Sequence, residues 1–308
     1  MKKEFGILKR GCMWRLFSVF FIFSMCCLPT NSFGAPEKLQ VVVSILPQKF
    51  FVEKIGGDKV NVSVMVAPGA NPATYEPKPR QMAKLSMAKI YFAIGVPFER
   101  VWLKRFKDTN PGLSIILTQE GIKLLPMSRS LPSDRRAGPA SSGIMDPHIW
   151  LSPPLVMLQA RNILDALVNA QPESMSYFQD RYASFINLVV STDIKIMNIF
   201  NPGHKRIQQD AFMVYHPCWG YFAKAYGLKQ IPIEEEGKEP KPAHLVKLVR
   251  MARESNISAI LIQPQYSQKS AVAIADSIGA TLIPADPLAY EWDKNLLFVA
   301  RKIKENLR

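Results

Sequence analysis

The sequence predicts an α/β protein built on parallel sheets. Short runs of apolar and β-branched residues recur along the chain, and segments with a helical pattern separate them. Each run is apolar almost throughout, which is typical of parallel strands that are covered on both faces. Strands that alternate with helices at this spacing indicate an α/β architecture.

Seven segments of the chain are predicted to be strands, in two groups. Those of the first half are residues 39–45, 60–67, 90–95 and 113–118. Those of the second half are residues 211–215, 257–263 and 280–285. Each group is large enough to form a sheet of its own, and a chain of 308 residues is long enough for two domains.

One long helix is predicted between the two groups. Pro172 and Glu173 suit its start, and the Asn-Pro-Gly segment at 201–203 ends it. Mostly apolar side chains recur between them at steps of four and three residues, on one face of a helix: Phe178, Tyr182, Phe185, Val189, Thr192, Ile196 and Ile199. At ~1.5 Å per residue this helix would be about 40 Å long, enough to bridge two lobes. An ordinary core helix within one domain explains the pattern about equally well.

The first 34 residues are interpreted as a secretory signal. Basic residues come first, the apolar run Leu16–Leu28 follows, and small residues around Ser32 and Gly34 suit cleavage after Gly34. The run is 13 residues long, too short to span a hydrocarbon core of ~30 Å. An uncleaved membrane anchor is the alternative. Cys218 is the one cysteine after this segment, so an exported protein would carry no internal disulfide.

Composition and charge exclude several classes of protein. Hydrophobic residues make up 48% and charged residues 21% of the chain, which argues against disordered and collagen-like proteins. The formal net charge is +14, but the basic residues are scattered along the chain, and an exported protein meets little nucleic acid. Solvated basic faces are therefore favoured over a nucleic-acid interface.

The chain has four histidines, and their contexts differ. His204 falls in the turn after the long helix and His244 on an amphipathic helix, so both are expected to be solvated or partly packed. His216 directly follows a predicted strand, and Asp286 occupies the matching place after another. The loop 67–77 follows a third strand. Ligands bind at the carboxyl ends of strands in open parallel sheets, and imidazole with carboxylate suits zinc, iron or manganese.

Several motifs, in order, carry a resemblance to a known family. From about Val41 to the C-terminus the chain resembles the zinc/manganese-type periplasmic solute-binding proteins of metal ABC importers. The segments concerned are APGANPATYEPKPRQM, IYFAIGVPFE, MDPHIWLSP, VYHPCWGYFAKAYGL, GKEPKPAHL, ILIQPQYS and ADPLA. The resemblance implies two α/β lobes joined by one long rigid helix, with the metal between the lobes. The implied division is a signal at 1–34, a first lobe at 35–171, a linking helix at 172–201 and a second lobe at 202–308.

The resemblance also implies a set of metal ligands. His148 of the DPHIW motif, His216 and Asp286 correspond to three of the family's four ligands. The fourth, usually a histidine in the loop after the second strand, falls on Ala73. Glu76 is the nearest protein substitute, although a role at a helix start or behind the ligands suits it better.

Two other groups could take the place of the missing ligand. A water molecule could equally well occupy the open coordination position. Gln263 and Gln265, at the end of a strand, could supply an amide oxygen or a supporting hydrogen bond. The acidic segment 234–239 is interpreted as an exposed turn, and Cys218 as buried packing near Trp219.

The leading functional hypothesis is a periplasmic protein that captures a divalent transition metal, most simply Zn2+, and delivers it to an ABC permease of the inner membrane. Mn2+ or Fe2+ capture by the same fold is the first alternative. A metalloenzyme with two histidines and one aspartate is another. A third is an exported adhesion or scaffolding protein that has lost its metal, an idea prompted by Ala73. The chain is expected to be a monomer, not an enzyme, with no nucleic-acid partner.

Overall fold

The computed structural model describes Met1 and residues 37–128, 144–201, 210–235 and 237–307. Apart from Met1, the predicted signal at 1–34 lies outside the described residues, and so does His204. Lys38–Arg308 forms one compact unit.

Two four-stranded parallel sheets form the framework of this unit. The first contains β1 (Leu39–Val43), β2 (Val60–Val64), β3 (Ile90–Ala93) and β4 (Ser114–Leu117), in the order β2-β1-β3-β4. The second contains β5 (Ala211–Val214), β6 (Lys229–Pro232), β7 (Ala259–Ile262) and β8 (Thr281–Pro284), in the order β6-β5-β7-β8. All strand pairs are parallel, and the two sheets have the same relative strand order. The predicted fold class of two parallel-sheet lobes is confirmed.

Helices connect successive strands. In the first half they are α1 (Leu46–Gly56), α2 (Pro79–Ser86), α3 (Glu99–Thr109) and α4 (Pro153–Ala170). The second half contains α6 (Gly220–Ala225), α7 (Pro242–Glu254), α8 (Lys269–Ile278) and α9 (Trp292–Glu305), with α5 (Met175–Phe200) between the halves. Single 3-10 turns lie at Gly57–Lys59, Ile149–Leu151 and Pro172–Ser174. Prolines in the first turn start α1, α2, α4 and α7, where a missing N–H costs no hydrogen bond.

Strand β6 was not predicted from the sequence. Its residues, Lys229–Pro232, include one lysine, one glutamine and one proline, so they lack an apolar run. The strand lies at the edge of the second sheet, where a proline is tolerated because the outer side needs no ladder hydrogen bond. The seven other strands lie within the predicted segments.

The long helix α5 lies between the two halves, as predicted. Its 26 residues correspond to about 39 Å, and a 3-10 turn precedes them. It packs against α1, α4 and α9, and its buried face carries the predicted pattern in large part: Phe178, Phe185, Val189, Thr192, Ile196 and Phe200. Together with the turn before it, α5 is long and apolar enough to cross a membrane by length and composition, a test that core helices also pass. The exact division at 35–171, 172–201 and 202–308 remains a prediction.

One continuous hydrophobic core joins the two lobes. Phe51 of α1 lies 5.5 Å, between ring centroids, from both Phe185 of α5 and Trp292 of α9. All three side chains are nearly or fully buried. Such close-packed aromatic contacts resist small displacements, so this layer fixes how the two sheets face each other.

A buried glutamate orders the carboxyl end of β3. Glu99, the first residue of α3, is 2% exposed and accepts hydrogen bonds from the N–H groups of Ile94 and Gly95 at 3.0 and 2.8 Å. The Ser44 hydroxyl also donates to it, and Ser44 is hydrogen-bonded to Tyr91. Burial raises the pKa of Glu99 to about 7, although these hydrogen bonds oppose the shift.

Glu99 makes the stability of the protein depend on pH. Its pKa is 4.5 in the unfolded chain and about 7 when folded, so the folded state holds the proton more tightly. The free energy of unfolding of the parent, relative to Glu99→Gln, should fall by roughly 2–3 kcal/mol as pH rises through this window. Urea unfolding of both proteins at about pH 5 and about pH 8 measures it. A difference that is the same at both pH values would contradict this prediction.

Candidate metal centre

His148 is held by a carboxylate two residues before it. It lies just before the 3-10 turn Ile149–Leu151, at the entrance to α4. Asp146 Oδ1 accepts hydrogen bonds from the His148 backbone N–H at 2.9 Å and from Nδ1 at 2.7 Å. Asp146 is 1% and His148 7% exposed. This short loop therefore fixes both the position and the orientation of the imidazole.

His216 is held in the same way from the second sheet. It follows β5, and Gln263, which follows β7, accepts from its N–H at 3.1 Å and donates to its carbonyl at 3.2 Å. Its Nδ1 lies 2.8 Å from Oε1 of Glu234, at the end of β6. The carboxyl ends of three neighbouring strands thus determine where this ring points.

The two imidazoles face each other. Their Nε2 atoms are 3.3 Å apart. An ionised carboxylate can only accept hydrogen bonds, so Nδ1 of each ring carries the hydrogen and Nε2 carries a lone pair. Two lone pairs cannot form a hydrogen bond with each other. A cation between the rings would satisfy both.

The ring of His216 is further enclosed. Tyr266 stacks on it with ring centroids 4.5 Å apart and planes 17° apart. Burial lowers the pKa of His216, the hydrogen bond to Glu234 opposes this, and nearby His148 lowers the pKa further. The neutral imidazole, which is the metal-binding form, is therefore favoured.

Hydrogen bonds from three aromatic residues join the loop of His148 to the second lobe. Tyr221 of α6 donates to the Asp146 carbonyl at 2.9 Å. The indole N–H of Trp150 donates to the Pro287 carbonyl at 2.8 Å, and that of Trp292 donates to the Trp150 carbonyl at 2.6 Å. These hydrogen bonds between the lobes therefore help to fix the distance between the two histidines.

A cavity of about 200 Å³ opens beside the two imidazoles. Ala73, in the loop after β2, lies in its wall. Residues from both lobes line it: Asn71, Pro72, Ala73, Gly95, Val96, Pro97, Arg100, Met127, Ile144, Met145, Pro147, His148, Trp150, His216, Gln265, Tyr266, Pro287 and Leu288. The position where the family resemblance expects a histidine thus faces the same space as His148 and His216.

Asp286 does not line the cavity but is hydrogen-bonded to Gln265, which does. Its Oδ1 accepts from Gln265 Nε2 at 2.6 Å and from the Leu288 N–H at 2.9 Å, while Oδ2 accepts from none of the described residues. Gln265 lines the cavity, and its buried Oε1 has no hydrogen-bond partner among the described residues.

Of the four predicted ligands, only His148 and His216 line the cavity. Glu76 is exposed and does not line the cavity. Among the described residues, no group of three or more His, Cys, Asp or Glu side chains could hold a metal as it stands. The arrangement is therefore a preformed pair, His148 and His216, with Asp286 next to the wall.

The comparisons with known proteins show the family of the chain. Residues 41–301 match the family described as ZnuA, zinc-uptake complex component A, periplasmic. This chain belongs to that family.

Individual members of the ZnuA family resemble the chain over most of its length. The high-affinity zinc uptake system protein ZnuA of Bacillus subtilis is 28% identical over 283 residues, 87% of each chain. A crystal structure of ZnuA superposes with a TM-score of 0.80 at 40% identity, covering 88% of this chain and 99% of that one. A zinc-bound ZnuA deletion mutant has a TM-score of 0.79 at 40% identity, with 88% and 98% covered.

Two residues that hold the cavity histidines were not predicted from the sequence. The segment 234–239 was expected to be an exposed turn, but Glu234 is 5% exposed and bonded to His216. Its place directly after β6 would have indicated the role, had that strand been recognised. Asp146 was visible in the DPHIW motif, two residues before His148, without a role being inferred.

Two other sequence interpretations can be compared with the structure. Cys218 is fully buried, as expected. His244 was expected to be solvated or partly packed. It is 6% exposed, and its Nδ1 lies 2.6 Å from Glu235 Oε1, so it is buried and paired outside the cavity.

Both cavity histidines should exist as the tautomer protonated at Nδ1, because each Nδ1 faces a carboxylate. Long-range 1H–15N correlation spectra of the metal-free protein at about pH 8, above the usual histidine pKa, test this. We expect Nδ1 of His148 and His216 to carry the hydrogen and Nε2 to be unprotonated. An Nε2-protonated tautomer in either ring would mean that the lone pairs do not converge.

Proposed function

We propose that this protein is the periplasmic metal-binding component of an ABC importer and that its cargo is zinc. The observation that carries the proposal is the pair of imidazole Nε2 atoms 3.3 Å apart, each ring backed by a carboxylate. Membership of the ZnuA family supports it, and so does the zinc-uptake name of the Bacillus subtilis relative.

The spacing of the nitrogens suits a tetrahedral zinc ion. Zinc–nitrogen bonds of ~2.0–2.1 Å at the tetrahedral angle place two ligand nitrogens about 3.3 to 3.4 Å apart. The separation between His148 and His216 is 3.3 Å. Hydrogen bonds from Nδ1 to Asp146 and Glu234 fix the tautomers and strengthen Nε2 as a donor to the metal. Little reorganisation would be needed to bind the ion.

Asp286 is proposed as the third ligand, through its Oδ2 atom. It follows β8 as His216 follows β5, and Gln265 connects it to the cavity wall. The side chain of Asp286 would have to move to reach the metal, since it does not line the cavity. Glu76 is left out of the proposed set because it is exposed. The fourth position of the ion then faces the wall that contains Ala73.

Delivery to the importer completes the proposal. Zinc would be bound between the lobes, and an ABC permease in the inner membrane would recognise the loaded protein. Export would use the segment 1–34 as a cleaved signal, and the mature protein would act as a monomer that captures metal without turnover. A screen of the zinc-loaded protein for hydrolytic activity tests the rival idea of an enzyme.

Zinc is favoured over manganese by the donor atoms. Two imidazole nitrogens suit zinc or ferrous iron, whereas manganese prefers oxygen-rich sites. Competition between Zn2+, Mn2+ and Fe2+ for the purified protein discriminates these cargoes.

The proposed ligands can be tested by removing them singly. His148→Ala and His216→Ala should each weaken zinc binding by at least about 100-fold, since each removes one of two preformed donors (about 2.7 kcal/mol). Competition with a chromophoric chelator at one zinc per protein measures the affinity.

Glu76→Gln is the matched control, because it alters a predicted ligand that lies outside the cavity lining. It should bind zinc as the parent does. Parent-like affinity in His216→Ala, or a large loss in Glu76→Gln, would contradict the proposed ligand set.

Ala73→His should strengthen zinc binding. It adds an imidazole to the cavity wall in an exposed loop, where the Ala73 N–H is held by Asn71 Oδ1 at 2.8 Å. We expect a gain of about tenfold or more, or at least 1.4 kcal/mol, by the same chelator competition. Ala73→Gln, of similar reach but without an imidazole, is the control. Equal affinity in Ala73→His and the parent would mean that this wall does not face the metal.

A further inference from the structure

We propose that the cavity binds the metal together with a small carboxylate anion, which bridges the ion and the guanidinium of Arg100. This inference rests on the proposed zinc site. It assigns an anion subsite to the space beside Ala73 and a binding role to Arg100.

The proposed zinc site leaves one coordination position unfilled. If His148, His216 and Asp286 supply one donor each, zinc still lacks the fourth ligand of a tetrahedral site. The wall formed by Asn71, Pro72 and Ala73 offers no imidazole, thiolate or carboxylate. Among the described lining residues, Gln265 Oε1 has no hydrogen-bond partner and could also fill this position, so a ligand from solution would compete with it.

The cavity has room for more than one water molecule. The cavity volume of about 200 Å³ is several times the ~30 Å³ that one water occupies in the liquid. Val96, Met127, Trp150 and Leu288 contribute apolar surface to the lining. An anion with a short hydrocarbon part would fill this volume better than one water does.

The cavity lining carries one permanent positive charge. Apart from the two histidines and the phenol of Tyr266, Arg100 is the one ionisable side chain among the described residues that line the cavity, and it is exposed. Its guanidinium has no hydrogen bond or ion pair with any described residue. By contrast, Lys104 on the same helix pairs with Asp108 at 2.9 Å, and Arg105 lies over the Trp102 ring at 4.8 Å.

The exposed guanidinium of Arg100 adds positive charge to the cavity lining and would attract an anion that enters the cavity. Asp146 and Glu234 are hydrogen-bonded to the imidazoles, and Asp286 is hydrogen-bonded through Oδ1 to Gln265 and the Leu288 N–H, with Oδ2 assigned to the metal. None of these three carboxylates pairs with Arg100. A carboxylate from solution could place one oxygen on the metal and one on the guanidinium fork, which matches carboxylate geometry.

The test uses Co2+ as a visible stand-in for Zn2+ and acetate as the probe. Protein loaded with one equivalent of Co2+, in a buffer free of other carboxylates, is titrated with acetate up to about 100 mM, a hundred times a Kd of ~1 mM. We expect the visible Co2+ absorption to change and to saturate. In Arg100→Gln the acetate Kd should rise about tenfold or more, while Co2+ stays bound.

Two variants serve as controls. Arg105→Gln removes the same charge from the same helix outside the cavity, and its acetate titration should match the parent. Ala73→His should give a spectrum that acetate does not change, because the added imidazole takes the open position.

The outcomes are distinct. An absorption spectrum that acetate leaves unchanged in the parent overturns the anion subsite, and the proposed zinc function stands. An acetate Kd that is equal in Arg100→Gln and the parent also overturns the subsite, leaving a metal-bound additive only. Failure of the parent to bind either Co2+ or Zn2+ overturns both the subsite and the proposed function.

Discussion

The site depends on one interaction: two imidazole rings, one from each lobe, whose lone pairs are turned toward each other by carboxylates behind them. Asp146 fixes His148 and Glu234 fixes His216, through hydrogen bonds of 2.7 and 2.8 Å. Without these carboxylates the rings could rotate or change tautomer. With them, the Nε2 atoms leave a place that only a proton or a metal ion fills well.

The fold keeps this unfavourable pair together before any metal arrives. His216, Glu234 and Gln263 follow three neighbouring strands, so the second sheet determines their relative positions. The loop of His148 belongs to the first lobe but is hydrogen-bonded to the second through Tyr221 and Trp150. The aromatic layer of the core prevents the lobes from relaxing apart. Packing energy elsewhere thus offsets the cost of two facing lone pairs.

The regular elements could be predicted where apolar residues recur with the period of a strand or a helix. Continuous apolar runs identified seven strands, and the spacing along α5 identified its buried face. Strand β6 escaped because an edge strand needs no apolar run, and Glu234, which follows it, was therefore taken for a surface residue. Contacts between segments that are distant in the chain have no local sequence pattern and could not be predicted. Examples are the ring of Tyr266 on His216 and the hydrogen bond from Trp150 to Pro287. The cavity beside Ala73 likewise arises only when both lobes are assembled.

The ligand environment of the bound ion shows whether the two facing histidines hold the metal. Zinc K-edge X-ray absorption of the protein loaded with one equivalent of zinc reports the donor atoms and their distances. We expect two imidazole nitrogens at about 2.0–2.1 Å, with the remaining ligands oxygen. A spectrum without imidazole scattering, or with sulfur in the coordination shell, would contradict the proposal that the facing histidines hold the metal.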